Sequence, residues 1–369
     1  MPAANAAEAA RISTGETFVA HTLQEVWRWA LGEEELCSAT EEARIRGAQE
    51  APAAAPPDFA DIAGQKHARH AAEVAAAGGH HMLMTGPPGS GKSLIAERIP
   101  SILPELDAAQ ALEVAAVESV AGDTDTRRGY RTPPISRPHH TVTRTGLIGG
   151  GSGTLRPGAI TRAHHGLLFL DEASEIPAHV LDGLRTPIEN GEVVLRRGTR
   201  SLVFPARFQL LLATNPCRCG AGDPTACRCS VHARRHHLAN LSGPLLDRID
   251  MRVHTTGHGA GLTLDDAEPS APIAERVNAA RQRSLARFGC SNARIDGAHL
   301  RRNAPADDAG MALVEVALAD GELTQRGVDR TLRLAWTLAD LDAAARPNID
   351  HIARALELRG GDKNGAWHE

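Results

Sequence analysis

The sequence predicts an α/β protein in which a parallel sheet lies between two layers of helices, and three apolar runs carry this prediction. The runs are Met82–Met84, Gly166–Leu170 and Phe208–Thr214. Nearly every position in each run is apolar, which is typical of strands buried on both faces of a parallel sheet. Segments with helical periodicity separate the runs, as strand–helix–strand units require. At 369 residues, the chain is long enough for two or three domains.

The first run leads into a glycine-rich loop. Gly86–Ser93 reads GPPGSGKS, and helical periodicity begins at Leu94. The pattern G-x-x-x-x-G-K-[ST] between a strand and a helix predicts a P-loop, which cradles the phosphates of a nucleoside triphosphate. Only three of the 40 basic residues are lysines, and one is Lys92, where a compact charge suits the outer phosphates. The predicted ATP-binding residues are Ile62, Gly64, Gly86, Pro87, Pro88, Gly89, Ser90, Gly91, Lys92, Ser93 and Leu94.

Ile62 and Gly64 belong to this set because of the turn that they form before the first core helix, predicted at His67–Ala77. A short turn at this place can hold an adenine ring against an apolar side chain and the backbone. An ordinary connection between a loop and a helix is the alternative interpretation.

The other two apolar runs each end in polar residues. The second run continues into Asp171 and Glu172, and the third is followed by Asn215. Ser93 is expected to ligate Mg²⁺, Asp171 to hold the ion through water, and Glu172 to act as the general base toward the attacking water. Ligands lie at the carboxyl ends of parallel strands, so Asn215 can orient that water. A turn-forming asparagine before Pro216 is the alternative for Asn215.

Two arginines are candidates for contact with the transferred phosphate. Arg248 lies in the segment LSGPLLDRIDM (residues 241–251), and we expect it to reach the nucleotide of a neighbouring subunit as an arginine finger. A local salt bridge to a flanking aspartate is its alternative. Arg326 opens a helix in the C-terminal part and is expected to touch phosphate within its own subunit, with Arg330 and Arg333 as alternatives.

Four of the six cysteines form two close pairs, Cys217-Arg-Cys219 and Cys227-Arg-Cys229. Four thiols in two such pairs predict a structural, tetrahedral zinc site. Nearby histidines could replace a thiol as ligand, and free or redox-active thiols are the other alternative; these histidines are His232, His236 and His237. Cysteines that bind metal rather than form disulfides indicate a reducing compartment, the cytoplasm.

A predicted β-hairpin carries a group of arginines. Glu192–Arg196 and Ser201–Phe204 alternate like two strands, and Arg196, Arg197 and Arg200 surround the turn. The chain has a net charge of −5, so any contact with nucleic acid has to be local. These arginines are candidate DNA contacts, although exposed arginines on a hairpin also serve solubility. The paired histidines His139 and His140 could contact nucleotide or DNA, or be solvated loop residues.

The composition of the chain suggests a domain order. Residues 1–45 contain a short helix, from Thr22 to Gly32, whose two tryptophans need a partner surface, and we expect this part to be the end of a larger domain. No apolar run reaches the roughly 18 residues that span a membrane, and no signal peptide is recognisable. The remaining predicted segments are a linker (46–57), the ATPase core (58–256) with an insertion near 108–155, a hairpin near 192–204 and a cysteine insert at 217–229, a second linker (257–272), a helical lid (273–359) and a disordered tail (360–369).

Several of these blocks together resemble one family. GPPGSGKS, GLLFLDE, ATNP, LSGPLLDRID and the C-terminal helices resemble an AAA+ ATPase of the helix-2-insert clade, and more narrowly the magnesium-chelatase-like ComM/YifB family. The resemblance implies a three-layer αβα core with a helical lid, ATP and Mg²⁺ as cofactors, and a homo-oligomeric, hexameric ring. It also implies that Asn215 is sensor 1, Arg326 sensor 2 and Arg248 the finger, and that the hairpin faces the ring pore. Residues 1–45 resemble the end of a Lon-protease-like domain.

The resemblance leaves two functions open. The ComM family's role implies a DNA-translocating ATPase that drives branch migration during recombination of transforming DNA. The alternative is the motor subunit of a magnesium chelatase, which remodels a protein partner and needs no DNA. The true chelatase motor resembles NPEEG after the asparagine, whereas this chain has NPCRCG and a second cysteine pair, which favours the first function. A truncated, poorly active ATPase is a third possibility.

Overall fold

A computed structural model describes residues 1–12, 16–47, 57–122, 129–151, 155–198, 200–221, 227–256 and 267–360. Most of the two predicted linkers and of the predicted tail lies outside these residues, as do parts of the predicted insertion and of the cysteine insert. The chain divides into two compact units, Met1–Pro56 with Leu106–Thr132, and Pro57–Glu105 with Pro133–Glu369.

In the described part of the first unit there are four α-helices and a two-stranded antiparallel sheet. They are α1 (Ala6–Ile12), β1 (Phe18–Val19), α2 (Leu23–Ala30), β2 (Cys37–Ser38), α3 (Ala39–Gly47) and α6 (Ala108–Ala121). Helix α2 begins as predicted, because the hydroxyl of its N-cap Thr22 accepts a hydrogen bond from the Glu25 amide. The tryptophans of α2 are not buried: Trp27 is 67% exposed and Trp29 46%.

The second unit is built on the predicted parallel sheet. Its strands are β3 (Met82–Thr85), β4 (Ile135–Ser136), β7 (Leu167–Leu170), β10 (Gln209–Thr214) and β11 (Met251–His254), in the spatial order β11-β3-β10-β7-β4. All four pairings are parallel, and Thr214 is in register with Thr85. The residues that follow the strands therefore meet at one edge. The two outer strands, β4 and β11, were not predicted from the sequence.

Successive side chains on these strands enter two separate hydrophobic cores, as a three-layer fold requires. Met82 and Met84 point into one core, which contains α4 and the C-terminal helices, whereas Leu83 points into the other. The helices and smaller strands around the sheet are α4 (Lys66–Gly78), α5 (Lys92–Arg98), α7 (Arg144–Ile148), β5 (Gly149–Gly150), β6 (Arg156–Pro157), α8 (Ala159–Arg162), α9 (Ala178–Leu181), α10 (Arg185–Asn190), α11 (Val231–Leu238) and α12 (Gly243–Leu246).

The predicted hairpin is present between α10 and β10. Strands β8 (Glu192–Arg197) and β9 (Arg200–Pro205) pair antiparallel, with Val194 opposite Val203 and Arg197 opposite Arg200. Val193 and Leu195 are buried on one face, so the intervening residues of β8 are exposed.

Within residues 267–360 the structure has five α-helices: α13 (Ser270–Phe288), α14 (Gly297–Asn303), α15 (Asp308–Ala319), α16 (Gln325–Leu341) and α17 (Ile349–Gly360). Four were predicted within a few residues, and α14 was missed. Helix α16 is the centre of the group, because its apolar face is buried along its length and Trp336 donates a hydrogen bond from Nε1 to Ala304 O. Among the described residues, no helix is both long and apolar enough to cross a lipid bilayer.

Candidate active site

The glycine-rich loop between β3 and α5 has the backbone that a phosphate cradle needs. Gly89 and Gly91 have φ angles of +73° and +84°, and a Cβ added to either would meet no atom within 4 Å. Gly86 is required for another reason, since a Cβ there would lie 2.1 Å from Thr255 Oγ1 and 2.4 Å from Thr255 O. The loop is thus open toward its centre and tightly packed behind, which fits a bound phosphate chain.

Lys92, the first residue of α5, places its ammonium group inside this loop. Nζ donates hydrogen bonds to Gly86 O and Pro87 O, both at 2.7 Å, and to Asn215 Oδ1 at 3.1 Å. Only 7% of the residue is exposed, and this burial lowers the pKa of Lys92 while the charge of Asp171 opposes the shift. The structure therefore brings the predicted lysine and the predicted asparagine together from different strands.

Ser93 and Asp171 also meet, as the sequence predicts. Ser93 Oγ donates a hydrogen bond to Asp171 Oδ2 at 2.6 Å, although 78 residues separate the two in the chain. A hydroxyl and a carboxylate side by side are the hard oxygen ligands that Mg²⁺ takes in nucleotide sites. The donor set fits the ion.

Glu172 lies at the same edge, and the structure reveals a partner that the sequence did not identify. His140 Nδ1 is 2.7 Å from Glu172 Oε2, and the His139 ring contacts the His140 ring at a tilt of 34°, with 4.0 Å between centroids. Glu172 has a φ angle of +49°, an uncommon conformation for a residue other than glycine. His140 is thus a contact of the predicted general base, and its side chain is 33% exposed.

The predicted adenine turn adjoins the loop. Ile62 is 1% exposed and Gly64 has a φ angle of +63°. Gln65, which was not among the predicted residues, connects the turn to the site, because its Nε2 donates hydrogen bonds to Ser90 O (3.2 Å) and Thr256 O (2.7 Å).

Arg248 is not paired with either flanking aspartate, the alternative considered from the sequence. Its Nη2 lies 2.5 Å from Glu189 Oε1, and its Nη1 donates to Pro244 O at 2.6 Å. The flanking aspartates instead bind arginines of α16: Asp247 pairs with Arg326 at 3.2 Å and Asp250 with Arg330 at 2.6 Å.

The three arginines of α16 differ in exposure. The side chain of Arg326 is 67% exposed, whereas that of Arg330 is 13% exposed. Arg333 donates from Nε to Ile295 O at 2.8 Å, and burial lowers its pKa. Arg330 and Arg333 are thus held by interior partners, which favours Arg326 as the arginine available to a ligand.

The four predicted zinc ligands form one cluster beside the site. Their sulfur atoms all lie within 4.8 Å of one another, and Cys217 Sγ is 3.1 Å from Cys219 Sγ and 3.5 Å from Cys227 Sγ. A tetrahedral zinc thiolate site has Zn–S bonds of about 2.3 Å, which implies about 3.8 Å between sulfurs. Burial raises the pKa of Cys217 to about 12, whereas hydrogen bonding by the Cys217 thiol lowers that of Cys219 to about 6. The donor set fits zinc.

His237, on the helix that follows this cluster in the chain, contacts the catalytic edge. The side chain is 3% exposed, and Nε2 lies 2.9 Å from Ser174 Oγ and 3.1 Å from Asn215 O. Its Nδ1 is 3.3 Å from Glu175 Oε1, which in turn belongs to the carboxylate that pairs with Arg218. His237 is therefore engaged with residues of the sheet edge and is not a fifth member of the sulfur cluster.

The hairpin arginines lie at the end of β8 and the start of β9. Arg196 and Arg197 are exposed near the turn. Thr199 and the Arg200 side chain lie outside the described residues.

A parallel sheet with a P-loop after one strand, acids after a second and an asparagine after a third defines a P-loop nucleoside triphosphatase. The helical block after the sheet places it in the AAA+ class. Residues 58–261 match the family of magnesium chelatase subunit ChlI, and residues 267–359 match the C-terminal part of that subunit. The chain belongs to the magnesium-chelatase-like ComM/YifB family of AAA+ ATPases. Membership implies ATP and Mg²⁺ as cofactors.

Individual relatives agree with this assignment. The chain is 44% identical over 366 residues to the uncharacterized protein Rv2897c of Mycobacterium tuberculosis, covering 97% of this chain and 71% of that protein. It is 36% identical over 358 residues to the competence protein ComM of Haemophilus influenzae, with coverages of 96% and 70%. The magnesium-chelatase 38 kDa subunit of Rhodobacter capsulatus is 27% identical over 302 residues, 75% of this chain and 78% of that subunit.

Proposed function

We propose that this protein is an ATP-hydrolysing ring motor, most simply a hexamer, that moves along DNA and drives branch migration in recombination of transforming DNA. The observation that carries the ATPase part is the meeting of Lys92, Ser93, Asp171 and Asn215 at the end of three neighbouring strands. Similarity to a competence protein over nearly the whole chain supports DNA as the load.

Each residue of the site has a separate role in ATP hydrolysis. The loop amides of Gly86–Ser93 and the Lys92 ammonium hold the phosphates, and Ser93 and Asp171 hold Mg²⁺, which would offset the negative charge on the phosphate oxygens. Glu172, held by His140, accepts the proton of the attacking water. Asn215 fixes the position of that water.

The remaining charges come from elements outside the loop. Arg326 contacts phosphate from the helical block of the same subunit. Arg248, released from Glu189, reaches the neighbouring subunit's nucleotide and neutralises the charge that develops during phosphoryl transfer. Two contacts would therefore change during a cycle, Arg248–Glu189 and Arg326–Asp247.

In this proposal, the hairpin of β8 and β9 makes the contact with DNA. Arg196, Arg197 and Arg200 would bind backbone phosphates, and this contact is independent of base sequence. The alternative load, a protein partner as in a magnesium chelatase, is supported by the match of both halves of the chain to the chelatase subunit family.

The deciding experiment measures ATP hydrolysis by the whole chain with and without single-stranded and forked DNA. We expect DNA to bind at low salt and to stimulate hydrolysis, and an Arg196→Gln/Arg197→Gln variant to lose most of the stimulation. Absence of both binding and stimulation would overturn the DNA motor in favour of protein remodelling. A Lys92→Ala variant that kept ATP turnover within about tenfold of the wild type would overturn the ATPase itself.

The proposed zinc site is tested by metal analysis of protein purified in reducing buffer. About one zinc ion per chain is expected, and Cys227→Ser should lose it. Cys37→Ser and Cys290→Ser are matched controls, because these cysteines lie outside the cluster and should leave the zinc content unchanged. Protein without zinc would refute the site.

A further inference from the structure

The segment that carries the four cysteines is a basic stretch next to the active site. Between residues 217 and 238 the sequence has four arginines and a single acid, Asp223, in a chain whose net charge is −5. The proposed hydrolysis mechanism uses none of these arginines. A local excess of positive charge of this kind is the electrostatic footprint of a polyanion site.

Four exposed side chains of this segment form what we call the knuckle patch: Arg228, His232, Arg235 and His236. Three of them share one face of α11, because they are spaced at i, i+3 and i+4. The His232 and His236 rings stack with 6.4 Å between centroids. Arg228 lies two residues before Ser230, the N-cap of α11.

The two arginines of the patch form no ion pair among the described residues. Within the part of the chain that the structure describes, neither Arg228 nor Arg235 lies within salt-bridge distance of a carboxylate, in contrast to Arg218, which pairs with Glu175 at 3.3 Å. Their guanidinium groups are free to make bidentate hydrogen bonds to phosphate oxygens.

The opposite side of α11 is fixed to the catalytic edge. His237, adjacent to His236 in the chain, is buried and lies within hydrogen-bond distance of Asn215 O and Ser174 Oγ. Ser174 in turn accepts a hydrogen bond from Thr214 Oγ1 at 2.8 Å. A displacement of α11 by a ligand on its exposed face would therefore be passed to the backbone of Asn215 through the His237 side chain.

We infer that the knuckle patch binds the phosphate backbone of the DNA, as a second contact beyond the hairpin, and that His237 transmits this binding to the hydrolysis site. The inference rests on the proposed DNA motor. Two phosphate contacts are expected to contribute about 1.4 to the slope of log K against log salt on single-stranded DNA, or about 25-fold in affinity at 0.1 M salt.

The test measures binding of the full chain to a fluorescein-labelled single-stranded oligonucleotide by anisotropy, from 50 to 300 mM salt. Arg228→Gln/Arg235→Gln should lower the salt slope by about 1.4 and the affinity at 0.1 M salt by about 25-fold. The matched control, Arg28→Gln/Arg302→Gln, removes two exposed arginines elsewhere and should bind like the wild type. Thermal midpoint and zinc content, measured for both doubles, verify that the fold and the cluster are intact.

A second arm tests the connection. His237→Phe keeps a ring but removes both hydrogen bonds, and should reduce the stimulation of ATP turnover by DNA at least about threefold while DNA affinity changes less than about twofold. His237→Gln, which restores a polar group, should recover part of the stimulation.

The outcomes separate this inference from the proposed function. A wild-type chain that binds no DNA overturns both. A wild type that binds DNA, together with an Arg228→Gln/Arg235→Gln variant that matches its control, overturns the patch and leaves the motor standing. Full DNA stimulation in His237→Phe overturns the transmission.

Discussion

Arg326 and Arg330 lie one turn apart on α16, yet their replacement by alanine is expected to have opposite consequences. Arg330 pairs with Asp250 at 2.6 Å, and the two side chains are 13% and 4% exposed. Arg326 pairs with Asp247 at 3.2 Å, with exposures of 67% and 37%. The first pair is buried at the boundary between the helical block and the sheet, and the second is on the surface.

The exposures of the two ion pairs determine how much stability each replacement is expected to cost. Removing one partner of a buried ion pair leaves the other charge uncompensated and costs about 3–5 kcal/mol. Removing an exposed pair costs about 0–1 kcal/mol. At about 2–4 °C per kcal/mol for a domain of this size, Arg330→Ala should lower the thermal midpoint by about 6–20 °C and Arg326→Ala by less than about 4 °C.

The assay pairs thermal unfolding with ATP turnover. We expect Arg326→Ala to keep its thermal midpoint and to lose at least about tenfold in kcat/KM for ATP, because an exposed arginine is the one that can move to phosphate. Arg330→Met, which fills the volume without the charge, separates loss of packing from loss of the ion pair. If Arg326→Ala unfolds early and Arg330→Ala remains stable but inactive, the reasoning from burial is refuted and Arg330 becomes the phosphate contact.

The stability of the protein at acid pH tests the Arg330–Asp250 pair independently. Burial opposes ionisation of Asp250, but the neighbouring His80 and Arg330 outweigh it and hold the pKa of Asp250 well below its usual value. A carboxyl group with a depressed folded-state pKa contributes stability above its unfolded pKa of about 4, and this contribution is lost as the pH falls further. In the Asp250→Asn variant, the free energy of unfolding should therefore fall less steeply below pH 4 than in the wild type.

Two further predictions concern the loop and the general base. Gly86→Ala should abolish measurable ATP binding, assayed with a fluorescent nucleotide, because its Cβ would overlap packed atoms; Gly243→Ala, where a Cβ meets nothing within 4 Å, is the control and should bind normally. His140→Ala should lower kcat about tenfold with little change in KM, because the Glu172 carboxylate loses the imidazole that lies 2.7 Å from it. His139→Ala should have a smaller effect, and equal losses in the two variants would argue for a general disturbance of the loop.

The sequence predicted the strands that are buried on both faces and missed the two at the sheet edges. β7 and β10 are continuous apolar runs, and such runs are recognisable without any partner strand. β4 has only two residues, and β11 alternates buried Met251 and Val253 with partly exposed positions. A strand that short, or one that alternates beside loops, has no pattern to distinguish it until the neighbouring strand is in place.

The same limit applies to the site. Lys92, Asp171 and Asn215 were predictable because each directly follows or begins an element with its own signal. His140 and His237 were not, because their roles depend on contacts with Glu172 and Asn215 across 32 and 22 residues of sequence. The local signal in both places was a pair of adjacent histidines, at 139–140 and 236–237. In each pair one ring contacts a residue of the site: His140 contacts Glu172, and His237 contacts Asn215.

The segment around Arg248 shows why local charge patterns mislead. Adjacent residues on a short helical turn do not face one another, so Arg248 binds Glu189 and leaves its flanking aspartates to α16. The segment that carries the proposed finger is therefore anchored through Asp250 to a buried arginine and through Asp247 to an exposed one. If Arg326 moves to phosphate, Asp247 loses its partner next to Arg248, while the Asp250 anchor stays. If the subunits assemble as the proposed ring, binding of nucleotide in one of them would thus alter the residue beside the proposed finger that serves the next, and the neighbouring sites would be physically connected.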